Sequence, residues 1–102
     1  MPRLEKLQEM LKSTPQDPFL HYGVAMEHRK AGDLDSALAS LADALACDAS
    51  YVAAYFHRGQ IQVEQGNLDA ARQILRDGIT IARRTGDAHA AEEMTGLLDS
   101  LD

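Results

Sequence analysis

The sequence has little of what disulfide-rich, membrane-spanning or aromatic-rich proteins need. Its 102 residues include no tryptophan, five aromatic residues in all and a single cysteine, Cys47, which excludes a disulfide within the chain. No apolar run approaches the roughly 20 residues of a membrane span, and the charged start, residues 1–6, does not resemble a secretory signal. We therefore expect a cytoplasmic protein with an aliphatic core, which suits closely packed helices better than a sheet.

The chain also lacks an excess of basic residues. Ten lysines and arginines stand against sixteen aspartates and glutamates, which gives a net charge of −6. Such a chain repels nucleic acid and anionic membranes at long range, and it has no basic stripe with interleaved aromatics. The sequence therefore predicts no nucleic-acid partner and no membrane partner, and its length predicts one small domain.

What the chain does have is helical periodicity from end to end, with no alternating pattern typical of strands. Apolar residues 4, 7, 10 and 11 share a face in a first helix that stops before Pro15. Asp17, Asp33 and Ser50 are candidate N-caps, and Gly32 is a candidate left-handed C-cap. Five further helices are predicted at about 18–31, 34–47, 51–65, 68–84 and 88–101.

The most informative pattern is an internal repeat. The segment GDLDSA at 32–37 returns as GNLDAA at 66–71, which is 34 residues downstream. When 17–50 is laid over 51–84, six positions are identical, and small residues meet small ones while large apolar residues meet large ones. That is the constraint expected where two helices cross closely. The small-residue matches include Ala25 with Gly59, Ala37 with Ala71, and Ala44 with Gly78.

Two helices joined by a tight Gly-Asp or Gly-Asn turn, at a period of 34, resemble the tetratricopeptide repeat. The resemblance implies an all-α fold in which antiparallel helix-turn-helix repeats stack into a short right-handed superhelical solenoid of about six helices. It divides the chain into a half-repeat at 1–16, whole repeats at 17–50 and 51–84, and a capping helix at 85–102. The early aromatic of the family is His21 in one repeat and Tyr55 in the next.

The resemblance also implies a concave groove lined by the first helix of each pair. Such a groove would bind a peptide or helix of a partner protein without catalysis, as a scaffold or adaptor. No carboxylate clamp carries over, so binding of acidic chaperone tails is not expected, although Arg29 and Lys30 could attract an acidic segment. The alternative is self-assembly, in which a second copy fills the groove as a homodimer. The expected groove residues are Phe19, Tyr22, Met26, Arg29, Ala53, Phe56, Gln60, Val63, Ala90 and Met94.

Candidate catalytic and metal sites are weak. The four histidines and Cys47 do not have the spacing of a zinc site or of a nucleophile with its base. Glu92 and Glu93 are typical of a solvated helix face, and Cys47 is typical of a small packing residue. No phosphate-binding loop or nucleophile elbow is present. The sequence therefore predicts no cofactor, no metal and no enzyme activity.

Overall fold

The computed structural model describes all residues from Met1 to Asp102, and it contains six α-helices and no strand. It divides into two compact units, Met1–Tyr51 and Val52–Asp102. None of the helices combines the length and the apolar character that crossing a bilayer requires. The predicted all-α class is confirmed. The helices are α1 (Arg3–Ser13), α2 (Pro18–Lys30), α3 (Leu34–Cys47), α4 (Val52–Glu64), α5 (Leu68–Thr85) and α6 (Ala88–Asp99).

In the first unit α2 lies in the middle and packs against both α1 and α3. Helix α1 has no fully buried residue, and its Leu7 lies against bare backbone of α2: a Cβ atom on Gly23 would be 3.1 Å from Leu7 Cδ1. The pairing of α2 with α3 supplies the core, because small side chains let the two helices approach. The buried apolar residues are Leu20, Val24 and Ala25 of α2 and Ala37, Leu41 and Ala44 of α3.

The second unit repeats this plan, with α5 packed against α4 and α6. Glycines occupy its closest crossings. A Cβ atom on Gly59 would be 2.5 Å from Leu75 Cδ2, and one on Gly78 would be 2.5 Å from Tyr55 Cβ. The small-residue positions predicted from the repeat therefore lie at close helix contacts.

The two repeat turns have the same backbone geometry. Gly32 and Gly66 have φ angles of 82° and 79°, the left-handed region that glycine adopts without steric cost. The next residue then donates its N–H to a carbonyl five residues back, from Asp33 to His28 at 2.9 Å and from Asn67 to Gln62 at 2.8 Å. This is the Schellman closure, which satisfies a carbonyl at the end of each helix. The predicted C-cap at Gly32 is confirmed.

Helix starts agree with the sequence at two of the three predicted N-caps. Asp17 accepts the Phe19 N–H at 2.9 Å, and Asp33 accepts the Ser36 N–H at 3.2 Å. The prediction for Ser50 is wrong, because α4 begins at Val52 and the Ser50 N–H is itself donated to Asp48 Oδ1 at 2.9 Å. Asp48 thus closes a turn ahead of the helix, an ordinary role for aspartate.

Helix α6 ends at Asp99, two residues before the predicted end at Leu101. The Ser100 hydroxyl donates to the Leu97 carbonyl at 2.6 Å. Serine competes in this way for carbonyls that a further helical turn would otherwise use.

Candidate partner-binding surfaces

One face of α2, here called the α2 face, carries the four residues predicted for it: Phe19, Tyr22, Met26 and Arg29. Their spacing of three, four and three residues places them on one side of the helix. Phe19 is 55% exposed, and the other three are half-buried. The Asp17 cap and Pro18 at the first helical position fix the helix start, so Phe19 is presented from a defined first turn.

Tyr51 extends the α2 face. Its ring lies edge-on to that of Tyr22, with centroids 5.6 Å apart and planes at 72°. Edge-to-face pairs of this kind are favourable by about 0.5–1.5 kcal/mol beyond their buried area. Sequence reasoning missed Tyr51, because its counterpart one period earlier is Asp17 and the repeat therefore gives no aromatic signal there.

The pair has shifted acidities. Burial raises the pKa of Tyr22, and the positive charge of Arg29 offsets part of that rise. Burial likewise raises the pKa of Tyr51, and Tyr22, Asp17 and Asp48 add to the shift. Both phenols are therefore neutral hydrogen-bonding groups across the physiological pH range.

A second surface, here called the α4 face, lies in the other unit. Phe56, Gln60 and Val63 occur at intervals of four and three residues on α4, and each is half-buried. Phe56 also lies beside the His57 ring, with centroids 6.0 Å apart. The α4 face is therefore a mixed surface with an aromatic, an amide and an aliphatic side chain.

Met94 does not belong to such a surface, and its prediction as a groove residue is wrong. Its side chain is 0% exposed, and its Sδ lies where α5 has Gly78: a Cβ atom there would be 2.6 Å from the sulfur. The missing side chain of Gly78 makes room for the thioether, so Met94 packs between α6 and α5. Ala90, one turn earlier on α6, is half-buried.

The histidines and the cysteine make local structural contacts. His21 Nε2 donates to the Pro15 carbonyl at 2.8 Å, and Cys47 Sγ lies 3.9 Å from the same oxygen and 3.7 Å from Gln16 Oε1. Helices α2 and α3 thus both hold the turn that follows α1. His89 pairs with Glu93 at 2.9 Å on α6, and no three His, Cys, Asp or Glu side chains are grouped to hold a metal ion.

Comparison with known proteins agrees with this architecture. A tetratricopeptide repeat family model matches residues 28–94. A TPR repeat-containing protein of Pseudomonas aeruginosa is 31% identical over 99 residues, which cover 97% of this chain and 94% of that one. These matches cover the repeats and most of the helices that flank them.

Solved structures agree as well. A tetratricopeptide repeat domain protein from Salinibacter ruber superimposes with a TM-score of 0.81 and 30% identity, covering 86% of this chain and 89% of that one. The TPR2B domain of yeast Sti1, solved as a complex with pHsp70, gives a TM-score of 0.90 at 21% identity, covering 96% and 78%. At 21% identity, the similarity to the Sti1 domain shows a shared fold only.

Proposed function

Because the chain belongs to the tetratricopeptide repeat family, we propose that it is a non-catalytic protein-binding module that acts as a scaffold or adaptor. Its α2 face and α4 face would each contact a segment of a partner protein. The observation that carries the proposal is Phe19, an aromatic side chain left 55% exposed at the start of a face that continues through Tyr22 and Met26. Exposed apolar patches of this kind are characteristic of interaction sites.

The chemistry of the α2 face favours an apolar segment, either an amphipathic helix or a short extended peptide. Tyr22 and Tyr51 supply rigid aromatic area, and Met26 supplies a flexible thioether that adapts to varied partners. The capped helix start and the edge-to-face ring pair hold these groups before binding, which lowers the entropy cost of association.

The same residues argue against a partner held by its terminal carboxylate. The positions that would carry such a clamp are Tyr22, Met26, Phe56 and Gln60, and none of them is a cation. The pHsp70 complex of the Sti1 domain therefore gives no partner for this chain. We also propose that the protein is cytoplasmic, as its sequence predicts.

A second copy of the chain is the alternative occupant of the α2 face. Light scattering during size exclusion, over a range of concentrations, distinguishes the two cases. A monomer at the chain mass of 11.2 kDa supports a foreign partner. A dimer that dissociates when Phe19 is replaced by serine supports self-assembly.

The decisive experiment compares partner capture by three forms of the chain. The wild type and a Leu68→Ala variant should retain the same partner from a lysate of the source organism, because Leu68 is exposed but lies on neither face. The double variant Tyr22→Ala/Phe56→Ala should lose it while keeping its helical circular dichroism. Retention of the partner by the folded double variant would refute the assignment of these faces.

A further inference from the structure

Helix α5 carries three arginines whose side chains have no partner within the chain. Arg72 of the same helix is paired with Asp69 at 2.8 Å and Asp102 at 3.8 Å. Arg76, Arg83 and Arg84, in contrast, are exposed and make no ion pair or side-chain hydrogen bond. In a chain with a net charge of −6, guanidinium groups that avoid all sixteen acidic residues are free to meet an outside anion.

Two of these three arginines line a cleft of about 320 Å³ between α5 and α6. Arg76 and Arg83 lie at its two ends along α5, seven residues or roughly 10.5 Å apart on a helix. Apolar walls come from Ile79, which is 8% exposed, and from Leu98. Arg84 does not line the cleft.

The hydroxyls in the cleft have different roles. Thr80 Oγ1 is already donated to the Arg76 carbonyl at 3.1 Å. The Thr95 hydroxyl makes no hydrogen bond within the chain, so its proton is free for an acceptor in the cleft. The lining residues thus carry two unpaired guanidinium groups and one unbonded hydroxyl, and none of them carries a carboxylate.

We propose that this α5–α6 cleft is a second interaction surface, which binds an extended acidic segment of a partner protein. Arg76 and Arg83 each pair with one carboxylate, and an apolar side chain between those carboxylates packs on Ile79 and Leu98. Paired arginines suit this task because a guanidinium binds a carboxylate through two parallel hydrogen bonds. The surface is separate from the α2 and α4 faces, so the proposal does not depend on them.

The distance between Arg76 and Arg83 also sets the spacing of the two acidic residues in the ligand. An extended chain advances about 3.3 Å per residue, and alternate side chains point the same way. Acidic residues at the first and fifth positions are then about 13 Å apart with the third side chain on the same side, a span that two long arginine side chains reach by splaying. The predicted motif is Glu-x-Leu-x-Glu or its aspartate equivalent.

An adjoining cleft along α6 indicates that the two arginines contribute unequally to binding. It shares Arg83 and Thr95 with the first cleft but also has Glu92 and Asp99 in its lining. These carboxylates make no ion pair with Arg83 but weaken the field there. Arg76 should therefore contribute more to binding than Arg83, and Glu92→Gln should strengthen it.

The test uses two labelled peptides, Ser-Glu-Ser-Leu-Ser-Glu-Ser and the same sequence with both glutamates replaced by glutamine. Binding to the full chain is followed by fluorescence anisotropy and by amide shifts in NMR. We expect the acidic peptide to shift amides of residues 76–83 and 95–98 and to bind about tenfold or more tightly than the glutamine peptide. Arg76→Gln should remove about the same factor.

Arg84→Gln is the matched control, because Arg84 is also exposed and unpaired but lies outside the cleft. It should change the affinity by less than about twofold, which is the effect of net charge alone. Equal binding of the two peptides, equal losses in the Arg76 and Arg84 variants, or no shift at α5 and α6 at millimolar peptide would each overturn the proposal. The Tyr22→Ala/Phe56→Ala variant should bind the acidic peptide like the wild type, which keeps the two proposals separable.

Discussion

Gly78 of α5 lies so close to Tyr55 of α4 that a Cβ atom on the glycine would be 2.5 Å from the Tyr55 Cβ. Tyr55 Cβ is fixed to the backbone, so it cannot move aside as the end of a flexible side chain can. Gly78→Ala should therefore push α4 and α5 apart and lower the free energy of unfolding by about 1–3 kcal/mol. Urea denaturation followed by circular dichroism measures this change.

Gly96→Ala is the control for that substitution. Gly96 is also within a helix, but a Cβ atom there would have nothing within 4 Å. Alanine should then stabilise the chain by about 0.5–1 kcal/mol through backbone entropy alone. If both variants were stabilised, the close contact at Gly78 would be wrong.

Ala37 and Ala39 provide a second matched pair on α3. Ala37 is fully buried, whereas Ala39 is exposed on the same helix. Ala37→Leu should cost about 1–3 kcal/mol by overpacking the crossing with α2, and Ala39→Leu should change stability by less than about 0.5 kcal/mol. Thermal melting of the two variants checks this. Equal melting temperatures would mean that α2 and α3 do not cross at Ala37.

The two repeat turns predict a pH-dependent difference in capping. Asp33 accepts the Ser36 N–H, whereas the equivalent Asn67 makes no side-chain cap. Asp33→Ala should therefore lower the melting temperature more than Asn67→Ala at neutral pH. Hydrogen bonds from Ser36 hold the pKa of Asp33 below its ordinary value of 3.8. Because the pKa of Asp33 is lower in the folded chain than in the unfolded one, its ionised carboxylate stabilises the fold above pH 3.8. This stabilisation is lost as the pH falls through the lowered pKa of the folded chain.

Melting curves of both variants at neutral pH and at successive pH values below 4 would test this. The gap between them should close on the acidic side. If the difference in melting temperature between the two variants stayed constant with pH, the effect of Asp33→Ala would not come from loss of an ionised cap.

Alkaline titration tests the environment of the ring pair. Burial and nearby negative charge raise the pKa of Tyr51, so its phenol should ionise above the ordinary value of 10.0. The neutral Tyr51 phenol therefore contributes its full stabilisation below its pKa in the unfolded chain. This contribution is lost as the pH rises through the higher pKa of Tyr51 in the folded chain. Asp48→Asn should move the Tyr51 transition towards 10.0, because Asp48 is one of the charges that raise it.

Tyrosinate absorbance in a Tyr22→Phe background, compared with a Tyr51→Phe chain, assigns the transition. Asp43→Asn is the control, since it removes the same charge from an exposed position on α3 that does not act on Tyr51. Equal shifts in the two asparagine variants would contradict a local effect.

The sequence predicted the fold well because its constraints are local and repeat. Capping residues and turn glycines act within a few positions, and the recurrence of small residues indicates where helices approach. It did not reveal which residues meet across a crossing. His21 and Tyr55 are equivalent in the repeat, yet His21 bonds to the Pro15 carbonyl while Tyr55 packs on Gly78. Gly78 is smaller than Ala44, its equivalent in the first repeat, and the contact with Tyr55 explains this difference.

The candidate site was harder to predict for a related reason. Apolar periodicity marks the faces that avoid water but does not tell whether a neighbouring helix or a partner covers them. Met94 was therefore assigned to a binding surface although α5 covers it completely. Tyr51 was missed because it directly precedes α4 and because its counterpart one period earlier is Asp17, which gives no aromatic signal. The unpaired arginines of α5 could be recognised only from their lack of neighbouring carboxylates.

The ring pair of Tyr22 and Tyr51 has a practical consequence. Without tryptophan, the intrinsic ultraviolet emission of the chain comes from its three tyrosines, and Tyr55 is buried in the second unit. Two of the three emitters thus lie on the α2 face in a fixed mutual orientation. The chain carries an optical reporter at the surface where we expect a partner, so docking there can be followed without a label.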